Sequence, residues 1–208
     1  MKYILGITGG SGAGKTEVSN ILRQHDIDII DGDKVSRLIM EPGEPALKET
    51  VEVFGDAILD SDGKLKRREL GNIVFSDPQK LKILNKITHK YITQYFLEAV
   101  KNSHKKVVGI DGAALFESGI SELCDGIMGV VSEPLIRIER IMKRDGILRE
   151  QAEARVASQK NNEFYIENCD FLVYNNGNIE QMTEQIEEVL GKLNHAEEGK
   201  ERAEKTTD

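Results

Sequence analysis

Residues 9–16 read GGSGAGKT and match the pattern G-x-x-x-x-G-K-[ST] at every specified position. The segment follows a short apolar run, Lys2 to Thr8, whose length and isoleucine content predict a buried strand. It precedes Gly14 to Gln24, where apolar residues at helical spacing predict a helix. A strand, a glycine-rich turn and a helix in this order restrict the chain to an α/β fold, since the strand must be covered on its faces.

The residue types in this loop suit the binding of a nucleoside triphosphate. Glycines let the backbone curl so that successive N–H groups point at phosphate oxygens. The helix N-terminus adds partial positive charge. In such a Walker A motif, or P-loop, Lys15 reaches the β- and γ-phosphates and the Thr16 hydroxyl ligates Mg²⁺. The predicted ATP-binding residues of the loop are Gly9, Gly10, Ser11, Gly12, Ala13, Gly14, Lys15 and Thr16.

Further apolar runs predict a five-stranded parallel sheet flanked by helices. The predicted strands after the first are Ile27 to Ile30, Lys106 to Ile110, Gly126 to Val131 and Phe171 to Tyr174. Between the second and third strands the strand signal disappears, and residues 34–105 are predicted to be a helical insertion. A last helix is predicted to end near Leu193, and residues 194–208 are predicted to form a disordered tail because they are polar.

Acidic residues follow two of the predicted strands. Asp31 and Asp33 follow the second strand, and ligands of parallel sheets bind outside the carboxyl ends of the strands. A carboxylate here could accept the proton of an attacking hydroxyl or hold metal-bound water, and Asp33 is the candidate. The alternative is that Asp33 only caps the helix expected from Lys34. Asp111 ends the third strand in a Walker-B-like pattern and is a candidate to reach Mg²⁺ through water. Glu117 is either a substrate contact or a salt-bridge partner.

Arginines recur on the helix predicted after the fourth strand. Arg137, Arg140 and Arg144 are spaced i, i+3 and i+7 and share one face. A helical hairpin carrying arginines is suited to a lid that closes over ATP, with cations on the transferring phosphoryl group. The alternative is a solvated surface on which Glu139, Lys143 and Asp145 balance the charge.

Composition excludes several classes of protein. A net charge of −8 argues against broad binding of nucleic acid or anionic membranes, and the lack of Trp argues against a base-stacking surface. No run approaches the ~20 apolar residues of a membrane span, and the N-terminus does not fit a signal peptide. Cys124 and Cys169 lack metal-ligand spacing and favour inert thiols in a reducing cytoplasm. The oligomeric state stays open, with a monomer as the expectation.

Seven ordered segments between residue 1 and about residue 193 resemble the dephospho-CoA kinase family. They are GITGGSGAGKT, IIDGDKVSR, FGDAILDSDGKLKRREL to IVFSDP, ITH, IDGAALFESG, RIERIMKRDG with ARVASQ, and YNNGN. The P-loop alone is generic, whereas the order of the segments is specific. The chain departs from the family pattern at Lys90, where the family has Pro, at Ala113-Ala114, where it has Pro-Leu, and at Gly32, where it has Ala.

The resemblance implies ATP-dependent phosphorylation of the ribose 3′-hydroxyl of dephospho-CoA, the final step of CoA biosynthesis. It implies that Asp33 is the catalytic aspartate, with Lys15, Arg140 and Arg144 as the catalytic cations. It places Arg67, His89, Asp111 and Glu117 with Asp33 at the acceptor, and Asn175 and Gly177 at adenine. The partners are then the small molecules ATP, with Mg²⁺, and dephospho-CoA.

The implied domains are a nucleotide-binding core (1–33, 106–132 and 161–193), a helical acceptor domain (34–105) and a lid (133–160). Two other functions remain open from the residues alone. One is a P-loop kinase for a different small hydroxyl acceptor, such as a nucleoside or a sugar. The other is a nucleotide-dependent switch, although the chain lacks the N-K-x-D stretch of guanine-binding switches.

Overall fold

The computed structural model describes residues 2–205, with side chains described as far as Leu193. The strands are β1 (Tyr3–Thr8), β2 (Asp28–Asp31), β3 (Val107–Asp111), β4 (Gly126–Val131) and β5 (Phe171–Tyr174). The helices are α1 (Lys15–Gln24), α2 (Gly32–Leu38), α3 (Pro45–Phe54), α4 (Arg67–Phe75), α5 (Pro78–Asn102), α6 (Pro134–Asp145), α7 (Arg149–Ala157), α8 (Asn162–Asn168) and α9 (Ile179–Lys205).

The five strands form one sheet in the order β2-β3-β1-β4-β5. β2 pairs with β3 in parallel, with Asp31 opposite Asp111, and β4 pairs with β5 in parallel, with Val131 opposite Tyr174. Buried parallel strands read as continuous apolar runs, which is why this sheet was visible in the sequence. The predicted parallel α/β fold with flanking helices is therefore confirmed.

The chain divides into two compact units. Unit 1 comprises residues 2–6 and 28–125, and unit 2 comprises residues 7–27 and 126–205. In unit 1, α3 and α4 pack on the long helix α5, and α2 lies against β2 and β3. In unit 2, α9 packs on α1 and β5, α8 packs on β4, and α6 packs on α7. The functional division into core, acceptor domain and lid stays a proposal.

Helix α5 shows how the sequence builds unit 1. Asp77 accepts hydrogen bonds from the N–H groups of Gln79 (2.9 Å) and Lys80 (3.3 Å), and Pro78 occupies the first turn, where a missing N–H costs nothing. One face of the helix then buries Ile87, Ile92, Phe96 and Val100. Burying a side chain such as Phe96 stabilises the fold by roughly 1.5–3 kcal/mol. As expected, residues 34–105 are mainly helical, with one isolated antiparallel bridge between Leu59 and Leu65.

The expected end of the last helix was wrong. The last helix does not end near Leu193 but continues to Lys205, because Ala, Glu and Lys are strong helix formers even where the chain is polar. Residues 206–208 of the expected tail lie outside the described residues. In the region after α6, α7 ends at Ala157 and the short helix α8 follows, capped by the Asn161 side chain on the Phe164 N–H at 3.0 Å.

Candidate active site

The P-loop in unit 2 has the predicted setting, since it lies between the end of β1 at Thr8 and the start of α1 at Lys15. Gly14 caps α1 with φ at 100°, a left-handed conformation that L side chains rarely adopt. A Cβ atom at Gly14 would also overlap Nδ2 of Asn175. Glycine is thus required there by both the backbone and its neighbour. The loop leads directly into the N-terminus of α1, which carries partial positive charge.

Asn175 forms hydrogen bonds that hold the P-loop backbone in place. Its Nδ2 donates to the Ala13 carbonyl oxygen at 2.8 Å, its Oδ1 accepts from Arg140 Nη2 at 3.1 Å, and the residue is 8% exposed. Asn175 lies directly after β5, so the strand positions it. The adenine contact implied for Asn175 and Gly177 remains a prediction, and the structure adds a loop-supporting role for Asn175.

Arg140 is held against the loop by several weak polar contacts in addition to Asn175. Its Nη1 donates to the Gly12 carbonyl oxygen at 3.4 Å and to Ser132 Oγ at 3.3 Å. Arg140 is half-buried on α6, which begins three residues after β4 ends. A guanidinium fixed beside the phosphate-binding backbone is suited to stabilising negative charge on a phosphoryl group.

Arg144, one turn further along α6, contacts both the loop and a carboxylate. Its Nη2 lies 3.4 Å from Ser11 Oγ, and its Nε lies 2.7 Å from Asp145 Oδ1. Asp145 also accepts from Arg155 on α7. The hydrogen bonds and charge of Arg144, followed by those of Arg155, lower the pKa of Asp145 to about 2. Asp145 therefore balances the charge of two arginines of the expected lid, as predicted by the alternative in which these helices form a solvated, charge-balanced surface.

We expect Asp145→Asn to lower the urea midpoint of unfolding at pH 7, because the three hydrogen bonds that Asp145 accepts from Arg144 and Arg155 then lose the carboxylate charge. The folded-state pKa of Asp145 is depressed, so its stabilisation is present above the ordinary carboxyl pKa and is lost as the pH falls towards 2. The difference between the two proteins should therefore narrow below about pH 4. Urea titrations at pH 7, 5, 4 and 3 measure this, and a difference that stays constant with pH contradicts it.

Sequence reasoning missed the position of Arg137. Helical spacing placed it on one face with Arg140 and Arg144, as a lid cation. It is instead 2% exposed, and its Nε donates to the Ser11 carbonyl oxygen at 2.9 Å. Its Nη2 donates to Gln159 Oε1 at 3.0 Å. The match of ARVASQ to the family lid pointed to Gln159, but nothing in the helical spacing distinguished the buried Arg137 from the less buried Arg140 and Arg144.

In unit 1, the aspartates predicted at the strand ends lie at one edge of the sheet. Asp31 and Asp111 are partners in the register of β2 and β3, and Asp33 follows in the first turn of α2. The N-cap of α2 is Asp31, whose Oδ1 accepts from the Lys34 N–H at 3.0 Å. The alternative in which Asp33 is the cap is therefore wrong. The Asp33 side chain is exposed, which leaves its carboxylate accessible to a substrate.

Two predicted acceptor residues share a cavity of about 640 Å³ within unit 1. His89 lines it from α5, and Glu117 lines it from the segment after β3. Lys86 and Phe116 add a cation and an aromatic face, the mixture of groups that small-molecule cavities typically combine. Arg67 is not among the lining residues; it begins α4, is exposed, and donates to the Arg37 carbonyl oxygen at 3.4 Å.

The structure explains two departures from the family pattern. Lys90 donates to Glu49 Oε2 at 2.8 Å and lies over the Tyr91 ring at 4.6 Å, so it ties α5 to α3. Tyr91 also donates to Glu49 at 2.7 Å, and these hydrogen bonds, Lys90 first, lower the pKa of Glu49. Ala114 lines the cavity, where its small side chain leaves space. Ala113 does not line it.

Both cysteines are free and partly buried, and burial raises the pKa of each thiol to about 12. This supports the interpretation that they are chemically inert, since the thiolate is the reactive form. Within the part of the chain that the structure describes, His, Cys, Asp and Glu side chains form no group of three that could hold a metal ion. Among residues 2–205, none of the helices combines the length and apolar character that crossing a bilayer requires.

A supported P-loop at the end of a strand in a parallel sheet, with arginines from the helix after β4 on the loop, defines a phosphotransferase of the P-loop kinase type. Comparison with known proteins narrows this class. The family model described as dephospho-CoA kinase matches residues 3–181. The chain belongs to the dephospho-CoA kinase family.

Individual relatives agree with this assignment. A dephospho-CoA kinase of Lactobacillus johnsonii is 35% identical over 196 residues, which covers 93% of this chain and 99% of the relative. The solved dephospho-CoA kinase of Campylobacter jejuni superposes with a TM-score of 0.66 at 25% identity, covering 95% of this chain and 100% of that one. A solved Thermus thermophilus protein superposes with a TM-score of 0.77 at 29% identity, covering 92% and 98%.

Proposed function

We propose that this chain transfers the γ-phosphoryl group of ATP to the ribose 3′-hydroxyl of dephospho-CoA, giving CoA and ADP, the final step of CoA biosynthesis. The observation that carries the proposal is the complete P-loop, supported by Asn175 and the α6 arginines, in a chain whose family model matches residues 3–181. A P-loop kinase for a nucleoside or a sugar is the alternative, and it differs in the acceptor rather than in the nucleotide.

In the proposed reaction, Asp33 accepts or orients the proton of the acceptor hydroxyl. The hydroxyl oxygen forms the new bond to the γ-phosphorus, the bond from that phosphorus to the bridging oxygen breaks, and ADP leaves. Lys15, Arg140 and Arg144 stabilise the charge on the transferring group. General acid–base catalysis of this kind contributes typically ~10²–10⁴-fold.

Magnesium is the implied cofactor, and the residues fit it in the manner of other P-loop kinases. The side chain of Thr16 is exposed at the start of α1, and among the described residues no three His, Cys, Asp or Glu side chains come together as a cage for a metal ion. Mg²⁺ prefers to keep several waters and to bind through substrate phosphates and one or two protein oxygens. When bound, it would neutralise charge on the β- and γ-phosphates, with Thr16 as ligand and Asp111 reaching it through water.

The acceptor side of the proposal rests on unit 1. Arg67, His89, Asp111 and Glu117 would contact dephospho-CoA together with Asp33. The cavity that His89 and Glu117 line is large enough for part of such a molecule, since small-molecule sites typically occupy ~300–1,000 Å³. A cytoplasmic location, a monomer and the division into core, acceptor domain and lid belong to the same proposal.

The proposal is tested by incubating purified protein with ATP–Mg²⁺ and dephospho-CoA and detecting CoA and ADP by mass spectrometry. Adenosine and gluconate serve as parallel acceptors. A much higher kcat/KM for dephospho-CoA than for either control is the expected result. Turnover only with another acceptor would support a P-loop kinase and would exclude dephospho-CoA as its acceptor. ATP binding without acceptor-dependent turnover would favour a nucleotide-dependent binding protein instead.

We expect Ala114→Trp to raise KM for dephospho-CoA at least ~10-fold, equivalent to about 1.4 kcal/mol of binding, because an indole would occupy part of the cavity. The Kd of ATP–Mg²⁺ should change less than ~2-fold. Ala113→Trp is the matched control, since Ala113 precedes Ala114 and does not line the cavity. Steady-state kinetics with each substrate varied measures both constants, and equal effects of the two variants would remove the cavity from the acceptor site.

A further inference from the structure

Arg137, Gln159 and Ser11 form a closed ring of hydrogen bonds in unit 2. Arg137 Nε donates to the Ser11 carbonyl oxygen at 2.9 Å, and Arg137 Nη2 donates to Gln159 Oε1 at 3.0 Å. The same Gln159 oxygen accepts from the Ser11 N–H at 2.8 Å. The Ser11 N–H belongs to the peptide group before Ser11 and its carbonyl to the one after, so the ring fixes both. The third residue of the P-loop is therefore held on two sides.

Arg137 also lies in direct contact with the loop backbone. A Cβ atom at Gly10 would overlap Arg137 Nη2, so the residue before Ser11 must be glycine for the guanidinium to fit. Arg137 is 2% exposed, whereas Arg144 on the same helix is exposed. The guanidinium is thus built into the base of the P-loop and is not a mobile lid cation.

The charge of Arg137 is compensated differently from that of its neighbours. Arg144 and Arg155 share the carboxylate of Asp145, but both hydrogen-bond partners of Arg137 are uncharged, a peptide carbonyl and an amide. Burial lowers the pKa of Arg137, and Tyr165 is the titratable group that acts on it in the opposite direction. A buried cation with neutral partners is unfavourable until an anion comes near it.

We propose that Arg137 and Gln159 are positioning residues for phosphoryl transfer. They hold Ser11 so that the loop keeps its phosphate-binding curl, and the buried Arg137 charge is compensated when the triphosphate of ATP binds the loop. Nucleotide binding then relieves an electrostatic cost that the ligand-free protein carries. The inference rests on ATP binding at the P-loop in the proposed function and does not depend on the identity of the acceptor.

The decisive variant is Gln159→Glu, which keeps an oxygen for Ser11 N–H and Arg137 and adds a negative charge. The carboxylate would neutralise Arg137 in the ligand-free protein, so its Tm should rise. The same charge would oppose the phosphates, so the Kd of ATP–Mg²⁺ should increase at least ~10-fold. A purely structural role for the ring predicts instead that a higher Tm accompanies tighter ATP–Mg²⁺ binding, and a lower Tm weaker binding, because a better-formed ring would improve the loop.

Gln151→Glu is the matched control. Gln151 lies in the first turn of α7, is exposed, and accepts from the Leu148 N–H at 3.1 Å, so it receives the same change of charge away from the P-loop. The Kd of this variant for ATP–Mg²⁺ should stay within ~2-fold of that of the unmodified chain. Its Tm should stay close to that of the unmodified chain, since glutamate also suits a capping box.

Arg137→Lys tests the positioning role of Arg137 separately from the role of its charge. Lysine keeps the cation but lacks the planar fork that contacts Ser11 and Gln159 together. We expect kcat to fall ~10²-fold, as for other small misplacements of catalytic backbone, while the Kd of ATP–Mg²⁺ changes less than ~3-fold.

The three variants are measured by calorimetric titration with ATP–Mg²⁺, thermal melting without ligand, and steady-state kinetics. A higher Tm together with weaker ATP binding in Gln159→Glu supports the proposal. An unchanged Kd, or a lower Tm that accompanies the weaker binding, overturns the role of the Arg137 charge. A normal kcat in Arg137→Lys overturns the positioning role. If dephospho-CoA is not the acceptor, the binding and melting data still decide the first question.

Discussion

Replacing Asp33 with asparagine should lower kcat for CoA formation by ~10²–10⁴-fold and leave the Kd of ATP–Mg²⁺ within ~3-fold. The carboxylate is exposed in the first turn of α2 and is not the helix cap, so its removal should cost the helix no more than the ~0.3–1 kcal/mol of a first-turn charge. What the variant loses is the group proposed to accept or orient the hydroxyl proton. Kinetics with dephospho-CoA and titration calorimetry with ATP–Mg²⁺ measure the two effects separately.

Asp31→Asn is the control for this experiment. It removes a carboxylate two residues away in the same loop, and asparagine caps helices about as well as aspartate. Its kcat should stay within ~3-fold of the unmodified enzyme. Near-normal turnover of Asp33→Asn, or an equal loss in both variants, would show that no specific proton acceptor resides at Asp33.

Replacing Arg140 with lysine should lower kcat and kcat/KM together by ~10²–10³-fold, the usual effect of removing a donor that stabilises developing charge. The guanidinium contacts the Gly12 carbonyl, Ser132 and Asn175 at the same time. A lysine ammonium is a single point of charge and does not reproduce these directions. The expected loss therefore arises from misplaced charge rather than from missing charge.

Arg149→Lys is the matched control for Arg140→Lys. Arg149 is an exposed arginine on α7 whose Nε lies 2.8 Å from Glu153 Oε1, an i,i+4 surface pair. Surface pairs of this kind contribute ~0.3–0.5 kcal/mol, so kcat should not change measurably. A Kd effect of Arg140→Lys without a kcat effect would make Arg140 a ground-state ATP contact and would remove it from the catalytic set.

The acidic residues illustrate how far sequence reasoning reached. Asp31, Asp33 and Asp111 were placed at strand ends because apolar runs ending in a carboxylate are visible along the chain, and the register of β2 with β3 puts Asp31 opposite Asp111. The sequence offered Asp33 as the alternative cap, because Asp33 directly precedes the helix expected from Lys34. The hydrogen bond from the Lys34 N–H assigned the cap to Asp31.

The sequence by itself determined the P-loop, the strands, and the residue types that bind phosphate, because these depend on contacts between residues close in the chain. The tertiary structure alone decided what supports the loop. Arg137 is 126 residues from Ser11, and Asn175 is 162 residues from Ala13. Helical spacing predicted the same position, on one face of the helix, for Arg137, Arg140 and Arg144. In the structure the three arginines differ in burial, and the burial of each depends on which part of the fold its side of the helix packs against.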